Sequence, residues 1–204
     1  MSKDPTNAAT RSLPAAWLAT RGEGIWAYGE SVAGLDLRGA DLSDITVQDI
    51  HAERANFSGA SFERFKAIDS FFEGANFSGA DLADANFFNS DLQHAVFCGA
   101  LLNGAAFATA KMMDADLRDV DFSGGDLAGA WLDRANLQNA NLSDVDASNT
   151  DFTGANLSGA DFSGANLAKA TFTGATLDDV NWEGANLDGA TFDPGAHPDP
   201  RDRS

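Results

Sequence analysis

Among its 204 residues the chain has one cysteine, one tyrosine and three histidines, and only 13 lysines and arginines against 31 acids. Each scarcity excludes something. Cys98 alone can form no internal disulfide, which agrees with a reducing compartment, and its simplest role is that of a tolerated surface thiol. His51, His94 and His197 are too scattered to build a metal centre or a catalytic cluster with Cys98 or Tyr28, so neither a cofactor nor an enzyme is expected. No apolar run approaches a membrane span, and residues 1–11 (MSKDPTNAATR) lack the apolar core of a signal peptide. The expected location is the cytoplasm. A formal charge of −18 and a pI near 4.2 argue against nucleic acid or an anionic membrane as partner; they favour a basic protein, or simple solubility.

What the chain does have is a period of five. From Leu37 through Leu42, Val47, Ala52 and Phe57 to Leu187 and Phe192, 32 positions spaced by five follow one phase without a slip, and most of them are large and apolar. Two residues before each centre stands a small or β-branched residue, usually alanine (Ala55, Ala60, Ala75, Ala155), and one before it usually Asp, Asn, Ser or Thr. The motif is A-(D/N)-(L/F)-x-x. Five matches neither the 3.6-residue return of a helix face nor the alternation of a strand, so the chain must turn every five residues. A solenoid does this when the centre and the residue two before it point inward and the other three point outward, and stacked coils then bury what one repeat cannot.

The pattern resembles the pentapeptide-repeat family over about four-fifths of the chain. The resemblance implies an all-β, right-handed quadrilateral β-helix of four pentapeptides per coil, here eight coils over residues 35–194. Before it, residues 1–11 are expected to be disordered and 12–34 to form a cap. In that cap a short helix begins at Ser12-Leu13-Pro14 and ends at Gly22 and Gly24; Trp17, Leu18, Ile25, Trp26 and Tyr28 lid a first coil whose core includes Leu35, Leu37, Ile45 and Ile50. The tail 195–204 is polar, proline-rich and expected to be disordered. That leaves the last coil, with Leu177, Trp182, Leu187 and Phe192, without a lid, and predicts a homodimer joined through this end. Characterised family members often dimerise there, many through an added C-terminal helix that this chain lacks.

Four repeats per coil bring residues 20 apart onto one face. The face with centres 42, 62, 82 and onward to 182 carries Asp41, Asp44, Glu63, Asp81, Asp84, Asp121, Asp144, Asp161 and Glu183 against Arg64 alone, whereas the other three faces carry net −3 each. Asp41, Asp81, Asp121 and Asp161 fall on alternate coils, about 9.6 Å apart at twice the strand spacing, too far to share one metal ion. Eight coils make a rod of about 38 Å with about one net charge per 2.2 Å, against about 1.7 Å for duplex DNA.

The resemblance therefore implies a DNA mimic that occupies the DNA-binding saddle of a type II topoisomerase, most plausibly DNA gyrase, and protects it from quinolones or toxins. The acids also admit a plainer reading as turn chemistry and solubility. Ile68, Phe71 and Phe88 form an outward apolar patch, with Met113 and Trp131 further along, which supports a scaffold or interaction module unrelated to DNA enzymes.

Overall fold

A computed structural model describes residues 27–196. Every pairing in it joins a residue to the one 20 positions on, always in parallel: Asp36 with Asn56, Asn56 with Asn76, and so on to Thr171 with Thr191. Only the first coils hold enough consecutive pairs to make strands: β1 (Ala27–Tyr28), β2 (Thr46–Gln48) and β3 (Lys66–Ile68), in the order β1-β2-β3. Elsewhere each coil side is reduced to a single bridging residue, because a turn follows within two residues. Backbone hydrogen bonds alternate between neighbouring coils: Leu37 N–H donates to Asn56 C=O (2.8 Å), and Asn56 N–H to Leu35 C=O (2.8 Å).

The pentapeptide explains the turn. Ile45 N–H donates to Leu42 C=O (3.3 Å), and Asp44 between them has a φ of 61°, the pattern of a type II turn. Where glycine does not fill this corner, 17 described residues adopt the left-handed conformation, and 11 of them are Asp or Asn. Their short polar side chains tolerate it best.

Inside, the centres and the residues two before them form one continuous core. Aromatic rings stack coil on coil: Phe77 on Phe97 at 4.9 Å and 3°, Phe87 on Phe107 at 5.0 Å and 13°, Phe152 on Phe172 at 5.2 Å and 8°. The two inward positions share one volume. Where a centre shrinks to alanine, its inward neighbour grows, as in Ile50 with Ala52, Phe65 with Ala67 and Val145 with Ala147, all fully buried. Gly125 shows the reverse, since a Cβ there would lie 2.3 Å from Phe122 Cε1 and 2.8 Å from the Ala105 carbonyl oxygen. The buried hydroxyls of Ser90 and Thr150 donate to the carbonyls of Ala67 (3.1 Å) and Leu127 (2.7 Å), so the polar exceptions are satisfied.

Two expectations need correction at the N-terminal end. The ladder already includes Ala27, the first described residue, which pairs with Val47, and so precedes Leu35; Ala27 and Val32 continue the phase of the centres and are buried. Residues 27–34 are thus strand and turn and no separate cap. Tyr28 lies outward on β1 and is 62 % exposed, and Leu35, although in an inward register, is 40 % exposed at this end of the described coils. The expected helix and the lid residues Trp17, Leu18, Ile25 and Trp26 lie outside the described residues, as do 1–11 and 197–204. Of the expected tail, Gly195 and Ala196 join a turn closed by Ala196 N–H on Asp193 C=O (3.0 Å).

The C-terminal coil also differs in part. Leu177 and Phe192 are partly buried, but Trp182 is only 4 % and Leu187 6 % exposed. Trp182 lies flat on Phe162 (5.4 Å, 10°) and edge-on to Phe192 (6.1 Å, 78°), so stacking covers Trp182, while Leu177, Val180 and Phe192 stay only partly buried at this end of the described coils.

Candidate protein interface on the acidic face

The residue before each centre points outward, and on the acidic face its carboxylate folds back on its own turn. Oδ1 of Asp41, Asp81, Asp121 and Asp161 accepts the N–H two residues on, at 3.1, 3.3, 3.1 and 2.9 Å. These are Asx turns, and they leave each carboxylate half-buried with its charge at the surface. The bridges run Asp41, Ser61, Asp81, Leu101, Asp121, Asn141, Asp161, Asn181 along one line. Asn141 and Asn181 donate their side-chain amides to Asp121 (3.0 Å) and Asp161 (2.9 Å), so neutral donors separate the charges.

The corner acids behave differently. Asp44, Asp84 and Asp144 occupy left-handed turn positions with φ of 61°, 56° and 56°. Arg64 grips Asp44 through two hydrogen bonds (2.7 and 2.9 Å) and also contacts Glu63. Those carboxylates raise the guanidinium pKa, Asp44 more than Glu63. The charge of the stripe is thereby partly cancelled near its N-terminal end. Asp84 and Asp144 instead lie over the glycines of the next coil, Gly104 and Gly164, at positions where a Cβ would come within 2.6 and 2.3 Å of their Oδ1 atoms. Neither they nor the exposed Glu183 has a cation partner among the described residues.

On the other walls three arginines are paired within their own wall: Arg38 with Asp36, Arg118 with Asp116 and Arg134 with Asp114, each at 2.7 Å. Each arginine holds its carboxylate below the ordinary value, chiefly by direct hydrogen bonds.

The apolar patch is outward as expected, with Phe71 37 % and Phe88 43 % exposed and Ile68 half-buried. Sequence reasoning missed two features here. Leu101, 51 % exposed, interrupts the acidic line between Asp81 and Asp121; its outward register was readable from the period. The stacking of Phe71 on His51 (4.9 Å, 12°) also follows from their separation of 20 residues. Among the described residues no three His, Cys, Asp or Glu side chains are grouped to hold a metal ion, and no helix is long and apolar enough to cross a membrane.

The fold so described is a parallel β-solenoid built from five-residue sides, with its chemistry confined to outward columns. The chain belongs to the pentapeptide repeat family: the family profile of pentapeptide repeats in eight copies matches residues 55–93 and 90–129, and that of the pentapeptide repeat region matches 115–192. Among solved structures it is similar to HetL, a pentapeptide repeat protein involved in heterocyst differentiation regulation from the cyanobacterium Nostoc sp. strain PCC 7120. That match has 27 % identity, covers 82 % of each chain and has a TM-score of 0.46. It is also similar to full-length QnrB1, a plasmid-mediated fluoroquinolone resistance protein, at 21 % identity over 83 % of this chain and 94 % of that one, with a TM-score of 0.43. A search of the curated proteins returned no match.

Proposed function

We propose that the protein is a non-enzymatic binding protein of the cytoplasm whose acidic face imitates the charge of duplex DNA and docks on DNA gyrase, shielding it from quinolones or gyrase toxins. The observation that carries this reading is the acidic run on one wall: Asp84, Asp144 and Glu183 without cation partners among the described residues, beside a line of half-buried carboxylates at Asp81, Asp121 and Asp161. A rigid row of this kind keeps its charges at fixed spacings and can meet a basic saddle without reorganising. The reading takes the coil as right-handed, as parallel crossovers generally are, with eight coils over 35–194 and a helix in the cap. It also takes the protein as a homodimer joined through the partly exposed Leu177 and Phe192 with Trp182 and Leu187 behind them.

The test is a gyrase supercoiling assay with the purified protein titrated in, with and without a fluoroquinolone, over a range of salt. Salt-sensitive inhibition or rescue, lost when Asp81, Asp84, Asp121 and Asp161 are changed to Lys, is the expected outcome. No effect on gyrase from several sources would overturn it. A second reading, an interaction module unrelated to DNA enzymes, is favoured by the exposure of Phe71 and Phe88 and predicts loss of partner capture in Phe71→Ser and Phe88→Ser proteins instead.

A further inference from the structure

A depression of about 290 Å³ lies off the acidic face, along the corner where the third wall meets the fourth. One side is the turn column Asp49, Asp69 and Asn89, and the other is the bridging column Phe71, Asp91 and Lys111. Between the columns Ser70 is fully buried, its hydroxyl already used on Ile68 C=O (2.8 Å) and Ile50 N–H (3.3 Å), so the lining has no unmet hydrogen bond at its base.

The chemistry of the walls is specific. Among the described residues Asp69 accepts neutral amides, from Asn89 (2.7 Å) and Gln48 (3.1 Å), and Asp91 accepts the amide of Gln93 (3.0 Å to each oxygen). Asp49 has no side-chain hydrogen bond or ion pair among the described residues, and Lys111 is the one cation of the lining. Three carboxylates thus face one ammonium. Phe71 stacks on His51 through one face of its ring and is still 37 % exposed at the rim of the depression.

We infer that this groove receives an arginine side chain from a basic segment of a protein partner. A guanidinium is planar and can pack against the exposed part of the Phe71 ring while its N–H groups fork onto carboxylates at the rim. A lysine ammonium matches the charge but neither the plane nor the fork. The exposed Phe88 and the half-buried Ile68 continue the apolar surface beside the groove and extend the contact to neighbouring residues of the partner. This site is independent of the gyrase reading, since it uses a different wall of the coil.

The test is fluorescence anisotropy of the full chain with a labelled Gly-Arg-Gly-Arg-Gly peptide and its lysine counterpart. The arginine peptide is expected to bind about fivefold more tightly than the lysine peptide. Asp49→Asn keeps a side chain suited to the left-handed turn, and Phe71→Leu keeps an apolar strand residue, so both preserve the fold. Each is expected to weaken the arginine peptide about fivefold and to bring it level with lysine. Lys111→Gln should tighten it, and Asp84→Asn with Asp144→Asn on the acidic face should leave the arginine preference unchanged. Equal affinity for both peptides, or a preference abolished by the acidic-face pair and untouched by Asp49→Asn and Phe71→Leu, would overturn the inference and reduce the binding to general charge attraction.

Discussion

A five-residue repeat leaves each side chain little freedom, and the exceptions show how the freedom is shared. Gly125 lacks a Cβ because the Phe122 ring occupies that space. Gly125→Ala should therefore cost about 1–3 kcal/mol through overpacking, read as a lower urea midpoint with an unchanged slope. Phe65 and Ala67 exchange the usual sizes of their two inward positions. Phe65→Ala should cost about 3–5 kcal/mol, and adding Ala67→Phe should restore part of it, because the pair fills one volume from either position. A double variant no more stable than Phe65→Ala alone would show that the backbone distinguishes the two positions. The phase of the repeat made both sites visible as inward in the sequence. It could not show that volume passes between them, since that depends on which rings meet across the coil.

At the level of one coil side, the Asp or Asn before each centre is a structural acceptor as well as a charge. Asp161 holds the N–H of Ser163 (2.9 Å) and the amide of Asn181 (2.9 Å). Asp161→Asn keeps the turn acceptor and should leave thermal stability nearly unchanged. Asp161→Ala removes it and should cost about 1 kcal/mol, seen as a lower midpoint in circular dichroism. The same pair separates charge from fold in any binding assay, because only loss shared by both variants reports on the charge. The two readings of the acids that the sequence leaves open are thus joined in one atom set: turn chemistry accounts for Asp41, Asp81, Asp121 and Asp161 being there, and their second oxygens still carry charge to the surface. For Asp84 and Asp144 no such turn bond exists, so they report most directly on charge.

Over the whole molecule, charge is organised by wall. Asp36, Asp114 and Asp116 have their pKa lowered by their arginine partners. A depressed carboxylate pKa in the folded state stabilises above the ordinary value of 3.8 and is lost as pH falls below it. The protein should therefore lose stability on acidification below about pH 4, and Asp116→Asn should flatten that loss, measured by urea titration across pH. Their exposure keeps the expected effect of each pair small.

The sequence by itself determined the solenoid and the identity of the inward columns, because an uninterrupted period assigns a direction to every side chain before any contact is known. The 20-residue coil, and with it the wall on which acids collect, was implied by the family resemblance and is the pairing the structure has. Tertiary structure decided what period alone does not carry. It extended the ladder back to Ala27 at least, because backbone pairing with Val47 needs no large centre. It buried Trp182 through stacking on Phe162, and it set one arginine against both Asp44 and Glu63 while giving Asp84 and Asp144 no cation among the described residues. It also opened the groove beside Phe71, which depends on two adjacent walls meeting at a corner and so belongs to no single column of the repeat.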